Sequence, residues 1–351
     1  MSKTRAGHFF EDFETGQELR HAVPRTVTEG DAALYIALTG DRSPVHCSAE
    51  YARRLGYARE TVNDLLVFHL VFGKTVDDVS LNAVANLGYA GLRFLRPVYP
   101  GDTLRAVSTV LGTKENSSGK TGVVWVRTTG TNQRDEVVLE YVRWVMVHKR
   151  DPATPTGRKD VPVVPREVPA SELVVPETLS LAGREPWATG GPFLFEDYEV
   201  GEVIDHVDGM TIEESDHMLA TRLYQNTAKV HFDAHAMKAS RFGRRLMYGG
   251  HVISVCRSLS FKGLENALGI LAFNGGAHAN PTFAGDTLYA ATEVLDAAPL
   301  NEELGALRLR LVGLKNRDAE LPPLRVEKDG KKRYHPQVVL DLDYWVAMPR
   351  R

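Results

Sequence analysis

The chain has 351 residues, which is enough for two domains of ordinary size and for a large core that needs no disulfide bonds. Its formal net charge is −3, so it lacks the basic field with which proteins hold nucleic acid. It has two cysteines, Cys47 and Cys256, and no apolar run approaches the roughly 18 residues of a membrane span. These features predict a cytoplasmic, globular protein that binds neither nucleic acid nor a membrane.

The first half of the chain predicts helices followed by strands. Residues 29–40 predict a helix, residues 41–46 a loop, and residues 48–58 a second helix. The apolar stretch VNDLLVFHLVFGKTV at 62–76 has the length and composition of a buried helix of about four turns. Strand patterns rich in β-branched and aromatic residues follow, at 91–98, 102–115, 121–132 and 136–148.

A proline-rich segment then separates the two halves. Prolines stand at positions 152, 155, 162, 165, 169 and 176, a density that blocks helix formation and favours an extended linker. We therefore predict a first domain at 1–150, a linker at 151–190 and a second domain at 191–351.

The second half repeats the first. FEDFETG at 10–16 recurs as FEDYEVG at 195–201, and YPGDTL at 99–104 recurs as FAGDTL at 283–288. Because the landmarks keep their order at a nearly constant offset, the period is a whole domain. The second half is therefore expected to form a helix at 251–264 and strands at 277–295, 306–314 and 337–348. The predicted fold is α+β, with one buried helix per half wrapped by an antiparallel sheet, and the halves forming a pseudo-dimer.

The loop after the first helix carries a candidate acid–base pair. It reads Gly40-Asp41-Arg42-Ser43-Pro44-Val45-His46, and the proline stiffens it. A carboxylate and an imidazole on one rigid loop can share proton transfers near neutral pH. From the spacing alone, a turn aspartate that caps the next helix, beside a surface histidine, is the alternative.

This segment resembles the G-D-x-N-P-x-H motif of the hydratase-2 type of the MaoC-like hotdog family, and the PGDTL strand at 100–104 is also typical of it. The resemblance covers both halves outside residues 150–190. It implies a tandem hotdog fold and reversible addition of water across the α,β double bond of an enoyl-CoA thioester. Asp41 and His46 would hold the water and move the protons, while Ser43 departs from the family's Asn.

The resemblance also implies a backbone N–H that stabilises the enolate-like oxygen at the start of the buried helix. In the family this donor is a Gly eighteen residues after the His. The corresponding positions here are Asp64 and Gly249.

The second half keeps a histidine, His231, but has Asn226 where the family's Asp belongs. An asparagine cannot act as a base. We therefore expect one active site, in the first half, with the second half reduced to substrate binding.

The resemblance, taken together with the tandem arrangement and the length of the chain, implies as substrate a short, branched enoyl-CoA with a free carboxylate, namely mesaconyl-CoA in exchange with β-methylmalyl-CoA. Arginine is the natural partner of such a carboxylate. The candidates are Arg42, Arg244 and Arg245, each of which has a solvated surface position or a contact to a CoA phosphate as its alternative role.

Three other functions remain open at this point. They are an (R)-specific straight-chain enoyl-CoA hydratase, a hotdog thioesterase that uses the carboxylate of Asp64, and a non-catalytic acyl-CoA-binding subunit. No cofactor is expected beyond the CoA of the substrate, and no metal, because HFDAH at 231–235 has two histidines at helical spacing but no third ligand. Further pairing into a homodimer is expected.

Overall fold

The computed structural model describes residues 3–4 and 7–351. The helices of the two halves follow one another in the same order, with short 3-10 turns between elements. They are α1 (Glu29–Thr39), α2 (Pro44–Cys47), α3 (Ala49–Arg54), α4 (Asp64–Lys74), α5 (Glu214–Leu223), α6 (Lys229–Phe232), α7 (Ala234–Met237) and α8 (Gly249–Leu259).

The strands form one long antiparallel sheet and a separate hairpin. They are β1 (Glu18–Arg20), β2 (Arg25–Thr26), β3 (Ala83–Phe94), β4 (Thr103–Glu115), β5 (Thr121–Thr131), β6 (Val137–His148), β7 (Val203–Thr211), β8 (Gly269–His278), β9 (Thr287–Pro299), β10 (Leu304–Lys315), β11 (Arg325–Lys328), β12 (Lys331–Tyr334) and β13 (Val338–Pro349).

The two halves join at the edges of their sheets. The strand order is β1-β4-β5-β6-β3-β8-β13-β10-β9-β7, so β3 of the first half pairs with β8 of the second. Their antiparallel register places Leu92 opposite Phe273 and Ala90 opposite Gly275. This is the predicted α+β arrangement of two helix-and-sheet units in a pseudo-dimer.

The helices α4 and α8 lie at the centre of the molecule. Every residue of α4 from Leu65 to Lys74 is buried, and the ring of Phe68 packs edge-on against Phe273 of the other half. Each fully buried apolar side chain contributes about 1.5–3 kcal/mol. The two helices also contact each other through a hydrogen bond of 2.8 Å between His69 Nε2 and Ser254 Oγ. The shared core therefore holds both halves in one fixed arrangement.

The structure departs from the predicted elements at several places: besides unpredicted strands such as β8, three predicted segments differ. The predicted loop at 41–46 ends in the helical turn α2, which begins at Pro44, because the fixed φ of proline suits the first helical position. The strand predicted at 91–98 begins earlier, at Ala83. The single strand predicted at 277–295 is wrong, since β8 ends at His278 and β9 starts at Thr287, with a turn in which Asp286 accepts the backbone N–H of Phe283 at 2.9 Å.

The linker packs against the protein rather than standing free of it. The Ser180 N–H donates to the Leu55 carbonyl at the end of α3 at 3.1 Å, and the Val168 carbonyl accepts the indole N–H of Trp345 at 3.0 Å. Gly56 lies so close that a Cβ atom there would stand 1.9 Å from the Thr178 carbonyl oxygen. The linker is thereby fixed as a strap over α3 and the second half's sheet.

Candidate active site

The loop after α1 is shaped by its own hydrogen bonds. Gly40 ends α1 in the left-handed conformation, with φ at 69°, which turns the chain sharply. The next residue, Asp41, accepts the Ser43 N–H on Oδ1 at 3.0 Å. Pro44 then starts α2, and its single turn brings His46 back toward the start of the loop, where Nδ1 donates to Oδ2 of Asp41 at 2.8 Å. The sequence-predicted pair is thus in direct contact.

Asn63 holds this pair from the neighbouring helix. As the N-cap of α4 it accepts the Leu65 N–H on Oδ1 at 2.9 Å, and its Nδ2 donates to Oδ2 of Asp41 at 2.7 Å. Asn63 was not among the predicted site residues. The sequence feature that could have identified it is its position, because an asparagine directly before an apolar helix is a typical N-cap.

The surroundings of Asp41 and His46 favour their charged forms. Burial alone would raise the pKa of Asp41, but the His46 charge and the hydrogen bonds from His46, Ser43 and Asn63 outweigh it and hold the pKa at about 2. Burial would lower the pKa of His46, yet the adjacent Asp41 carboxylate raises it above its ordinary value of 6.5. The free site therefore holds a carboxylate–imidazolium ion pair.

Asp64 bridges the two halves. It is the first residue of α4, and its carboxylate accepts the backbone N–H of Ile270 on β8 at 2.9 Å. Burial raises the pKa of this carboxyl group, although the charge of His46 opposes the shift. Its own N–H has no carbonyl partner within α4, because the first turn of a helix leaves its donors free.

Two cavities meet at His46 and Asp64. The first, which we call the polar cavity, has mostly polar and charged side chains around it: Tyr35, Asp41, His46, Asn63, Asp64 and Arg257. The second, which we call the apolar cleft, lies between Phe94–Pro97, the linker residues Val174–Pro176 and the segment Leu268–Leu271. The segment Leu268–Ile270 also borders both, so the two spaces adjoin at this segment, His46 and Asp64.

Arg257 enters the polar cavity from the second half. It lies in the last turn of α8, and Nη1 donates to Ser260 Oγ at 3.2 Å. Its Nε is buried and has no hydrogen-bond partner among the described residues. Arg257 was not among the predicted site residues, since only the packing of α8 against the first half reveals which cavity it faces.

The predicted arginine candidates lie elsewhere. Arg42 is exposed, with its guanidinium 4.7 Å from the ring centre of Phe261 at the border of the polar cavity. Arg244 stacks on Phe283 in the second half at 4.0 Å, and Arg245 forms an ion pair with Glu214. Neither Arg244 nor Arg245 borders the polar cavity or the apolar cleft.

The equivalent loop of the second half has no ion pair. Asn226 accepts the Ala228 N–H at 3.0 Å, as Asp41 accepts the N–H of Ser43. The histidine that follows, His231, does not bind Asn226. His231 Nδ1 donates instead to the Leu246 carbonyl at 2.9 Å. Burial lowers the pKa of His231 to about 4, which favours its neutral form.

The helix start at Gly249 is also crowded. A Cβ atom there would stand 2.5 Å from the ring of His278, which explains why this position of α8 requires glycine.

The segment HFDAH is divided between α6 and α7, with Asp233 capping the second of them. In residues 3–4 and 7–351, no three His, Cys, Asp or Glu side chains gather as they would around a metal ion. In the same part of the chain, no helix combines the length and apolarity needed to cross a bilayer.

Comparison with known proteins places these features in a family. A family model for mesaconyl-CoA hydratase matches residues 2–322. The β-methylmalyl-CoA dehydratase of Chloroflexus aurantiacus is 57% identical over 352 residues, covering 100% of this chain and 99% of the relative. The mesaconyl-CoA hydratase of Cereibacter sphaeroides is 58% identical over 349 residues, covering 99% and 100% respectively.

Solved structures show the same architecture. A crystal structure described as a putative MaoC domain protein dehydratase from Chloroflexus aurantiacus has 56% sequence identity and a TM-score of 0.96, and the match covers 100% of each chain. A Mycobacterium tuberculosis protein with a double hotdog fold has 25% identity and a TM-score of 0.78, covering 97% of this chain and 98% of the other. The predicted tandem hotdog fold is confirmed.

Proposed function

This chain belongs to the mesaconyl-CoA hydratase family, and on that premise we propose how its first half interconverts mesaconyl-CoA and β-methylmalyl-CoA. The chain is a hydro-lyase that acts on an enoyl-CoA thioester. The observation that carries the proposal is the buried Asp41–His46 ion pair at the point where the polar cavity and the apolar cleft adjoin.

The reaction requires a base and an acid close to the double bond. Water adds to the carbon β to the thioester carbonyl and loses a proton, while the α-carbon gains one. Both transfers must occur within hydrogen-bond reach of the groups that serve them. A pair of opposite charge on a single loop meets this requirement.

We assign the two transfers to the two members of the pair. Water binds between the Asp41 carboxylate and Nε2 of His46. Asp41 takes a proton from this water as its oxygen attacks the β-carbon, and the His46 imidazolium delivers its Nε2 proton to the α-carbon. Because His46 loses its charge at that moment, the interaction that lowers the pKa of Asp41 disappears and the carboxylate becomes a stronger base. The next water to bind relays the proton from Asp41 to Nε2, which restores the ion pair.

The start of α4 is suited to the charge that develops on the thioester oxygen. The N–H of Asp64 lacks a partner within its helix and lies at the positive end of the helix dipole. Because the Asp64 carboxylate is bound to the N–H of Ile270, it is directed toward β8. We propose that the Asp64 N–H stabilises the enolate-like oxygen.

We place the acyl group in the polar cavity and the CoA arm in the apolar cleft. The cleft is bordered by Val174, Val175 and Pro176 of the linker, whose apolar side chains suit the methylene groups of a pantetheine chain. Exposed Arg96 at its border suits a phosphate of CoA. The substrate itself supplies the CoA, and the reaction as assigned uses no other cofactor and no metal.

The second half serves as a structural and substrate-binding partner in this proposal. The neutral His231 and the backbone-bound Asn226 provide neither an acid nor a base of the kind present in the first half. We further propose that the protein works in the cytoplasm, apart from nucleic acid and membranes, and that the chains associate as homodimers.

The test is an assay with mesaconyl-CoA that follows the loss of enoyl-thioester absorbance, with mass spectrometry of the product. The wild type should add the mass of one water. Asp41→Asn should lower kcat by roughly 10²- to 10⁴-fold, the usual contribution of acid–base catalysis. Asn226→Asp, the matched variant of the second half, should leave the rate near that of the wild type.

The other functions would give different outcomes. Release of free CoA would identify a thioesterase and point to Asp64, and rapid hydration of crotonyl-CoA alone would identify a straight-chain hydratase. Full activity in Asp41→Asn would overturn the assignment of the base.

A further inference from the structure

The position of the substrate's free carboxylate follows from the reaction. Water adds at the carbon β to the thioester, and in β-methylmalyl-CoA that same carbon bears the free carboxylate. The carboxylate is therefore one carbon–carbon bond, about 1.5 Å, from the atom that water attacks. A cation that binds it must share a cavity with Asp41 and His46.

We propose that Arg257 binds this free carboxylate and sets the preference of the site for a carboxylated acyl group. The inference rests on the proposed function of the first-half site. Arg257 is the one arginine among the residues around the polar cavity, where it lies with Asp41, His46 and Asp64.

The guanidinium of Arg257 has unused binding capacity. Nη1 donates to Ser260 Oγ at 3.2 Å. Nε is buried and has no hydrogen-bond partner among the described residues. Among the described residues, no Asp or Glu forms an ion pair with Arg257. A half-buried guanidinium in this state can donate two parallel N–H bonds to the two oxygens of a carboxylate.

The duplication shows that helix packing alone does not require an arginine here. Arg257 is the ninth residue of α8, and the ninth residue of α4 is Phe72. On the equivalent strands the arginine is in the other half. The seventh residue of β6, in the first half, is Arg143, and the seventh residue of β13, in the second half, is Tyr344. In the first half the Arg143 guanidinium is fully buried, 4.2 Å from the ring centre of Phe72.

This exchange keeps one guanidinium in each half but gives the two guanidinium groups different surroundings. In the first half, the guanidinium of Arg143 on β6 lies over the ring of Phe72 on α4 and fills the space there. Its Nη2 donates to Thr75 Oγ1 at 2.6 Å. Beside α8 the arginine comes from the helix and borders a cavity. Only this second arrangement leaves a guanidinium facing open space next to the catalytic pair.

The local charges favour an anionic ligand. The opposite charges of Asp41 and His46 balance each other, and the Asp64 carboxyl group, whose pKa burial raises, is already bound by the backbone N–H of Ile270. Arg257 lies in the same cavity with its Nε buried and without a hydrogen-bond partner among the described residues. A free carboxylate on the substrate would neutralise it, whereas a methyl group in the same place would leave it buried and unpaired.

The experiment compares two substrates that differ at one group. The first is mesaconyl-CoA, and the second is (E)-2-methylbut-2-enoyl-CoA, in which a methyl group replaces the free carboxylate. Arg257→Met should lower kcat/KM for mesaconyl-CoA by roughly 30- to 1,000-fold, the range for truncating one partner of a buried charge pair. The rate with the neutral substrate should stay the same or rise, so the ratio of the two kcat/KM values reports the effect.

Two further variants separate binding from folding. Arg257→Lys keeps the charge without the planar fork and should recover part of the mesaconyl-CoA activity. Arg244→Met removes an arginine that stacks on Phe283 in the second half and should not alter the substrate ratio. A parallel loss with both substrates in Arg257→Met would show a structural role and overturn the inference.

The remaining outcomes distinguish this inference from the proposed function. If the wild type does not hydrate mesaconyl-CoA, the proposed function fails and the inference fails with it. If the wild type hydrates mesaconyl-CoA and Arg257→Met keeps the same substrate ratio, the inference alone fails. A change of ratio in Arg42→Met but not in Arg257→Met would place the carboxylate at the border of the cavity, beside Phe261.

Discussion

At the scale of single residues, the site is organised by one shared oxygen. Oδ2 of Asp41 accepts hydrogen bonds from both His46 and Asn63, while Oδ1 accepts a backbone N–H of its own loop. Charged hydrogen bonds of this kind are stronger than neutral ones, and low solvent exposure strengthens them further. The carboxylate is therefore fixed in orientation before any substrate arrives.

The pair should give a characteristic dependence of stability on pH. His46 has a raised pKa, so its contribution is complete below 6.5 and is lost as the pH rises through the raised value. Asp41 has a pKa held at about 2, so its contribution is complete above 3.8 and is lost as the pH falls toward 2. The stabilisation of the wild type over Asp41→Asn should be largest between these limits. Urea unfolding of both proteins across the pH range measures this difference, and a difference that does not vary with pH would contradict it.

The same charges predict the pH profile of catalysis. Because the His46 imidazolium is the acid in our assignment, kcat/KM should fall as the pH rises through its raised pKa. The Asp41 carboxylate remains ionised down to about pH 2, so it should not produce an acid limb near neutral pH. A rate that increases through the pKa of His46 would show that the neutral imidazole is the active form.

Asn63 combines two tasks that substitution can separate. Asn63→Ser keeps a good cap for α4 but is too short to reach Asp41, whereas Asn63→Ala loses both functions. Both variants should lose activity, and only Asn63→Ala should also lose about 1 kcal/mol of stability. Steady-state kinetics and urea unfolding measure the two effects. Equal stability losses in the two variants would show that the cap is unimportant.

At the scale of elements, the helices were the more predictable part of the fold. The apolar run at 62–76 placed α4 correctly, and the motif before it placed Asp41 and His46 on a short segment stiffened by proline, since hydrophobic pattern and proline chemistry act locally. The strand β8 was missed because its sequence, GILAFNGGAH, carries three glycines and lacks alternation. Its role depends on pairing with β3, a contact between distant residues that no local pattern reports. Arg257 was missed for the same reason.

The linker should influence substrate binding through its contact with α3. Gly56 has φ at +87° and meets the Thr178 carbonyl, while Gly157 has φ at +70° and nothing within 4 Å. Alanine at either position carries a backbone strain of about 1–3 kcal/mol. Gly56→Ala adds a steric clash and should displace the strap that borders the apolar cleft.

This difference has a direct readout. Gly56→Ala should raise KM for mesaconyl-CoA and destabilise the protein more than the control variant Gly157→Ala. Kinetics and thermal unfolding of both proteins test it. The same KM in the two variants would mean that the strap does not shape the CoA arm's binding site.

At the scale of the whole molecule, the two halves are one structure rather than two linked domains. The sheet runs without a break across β3 and β8, and the central helices touch through His69 and Ser254. The candidate site also crosses this boundary, since Asp64 binds the N–H of Ile270 and Arg257 borders the polar cavity. Neither half contains the complete site.

A cut in the linker should therefore leave the enzyme assembled. We expect a protease site inserted next to exposed Gly157 to be cleaved without loss of the native mass on gel filtration and with most of the hydratase activity retained. Beyond the cut, Arg158 still donates to the carbonyls of Phe10 and Glu11. The urea midpoint should become dependent on protein concentration, because unfolding now separates two chains. Separation of the fragments in native buffer would contradict this.

The joining of the halves at β3 and β8 also bears on how such a site can diversify. In an assembly of two identical chains, every substitution appears twice, so a helix that gains a charge for one site imposes the same charge on the other. A single chain with two unequal halves escapes this constraint. Here one central helix carries Phe72 and the other carries Arg257 at the same position, so one pseudo-symmetric site can be filled with aromatic rings while its counterpart stays open and charged. Covalent fusion thus permits broken symmetry, and with it a division of labour between two copies of one fold.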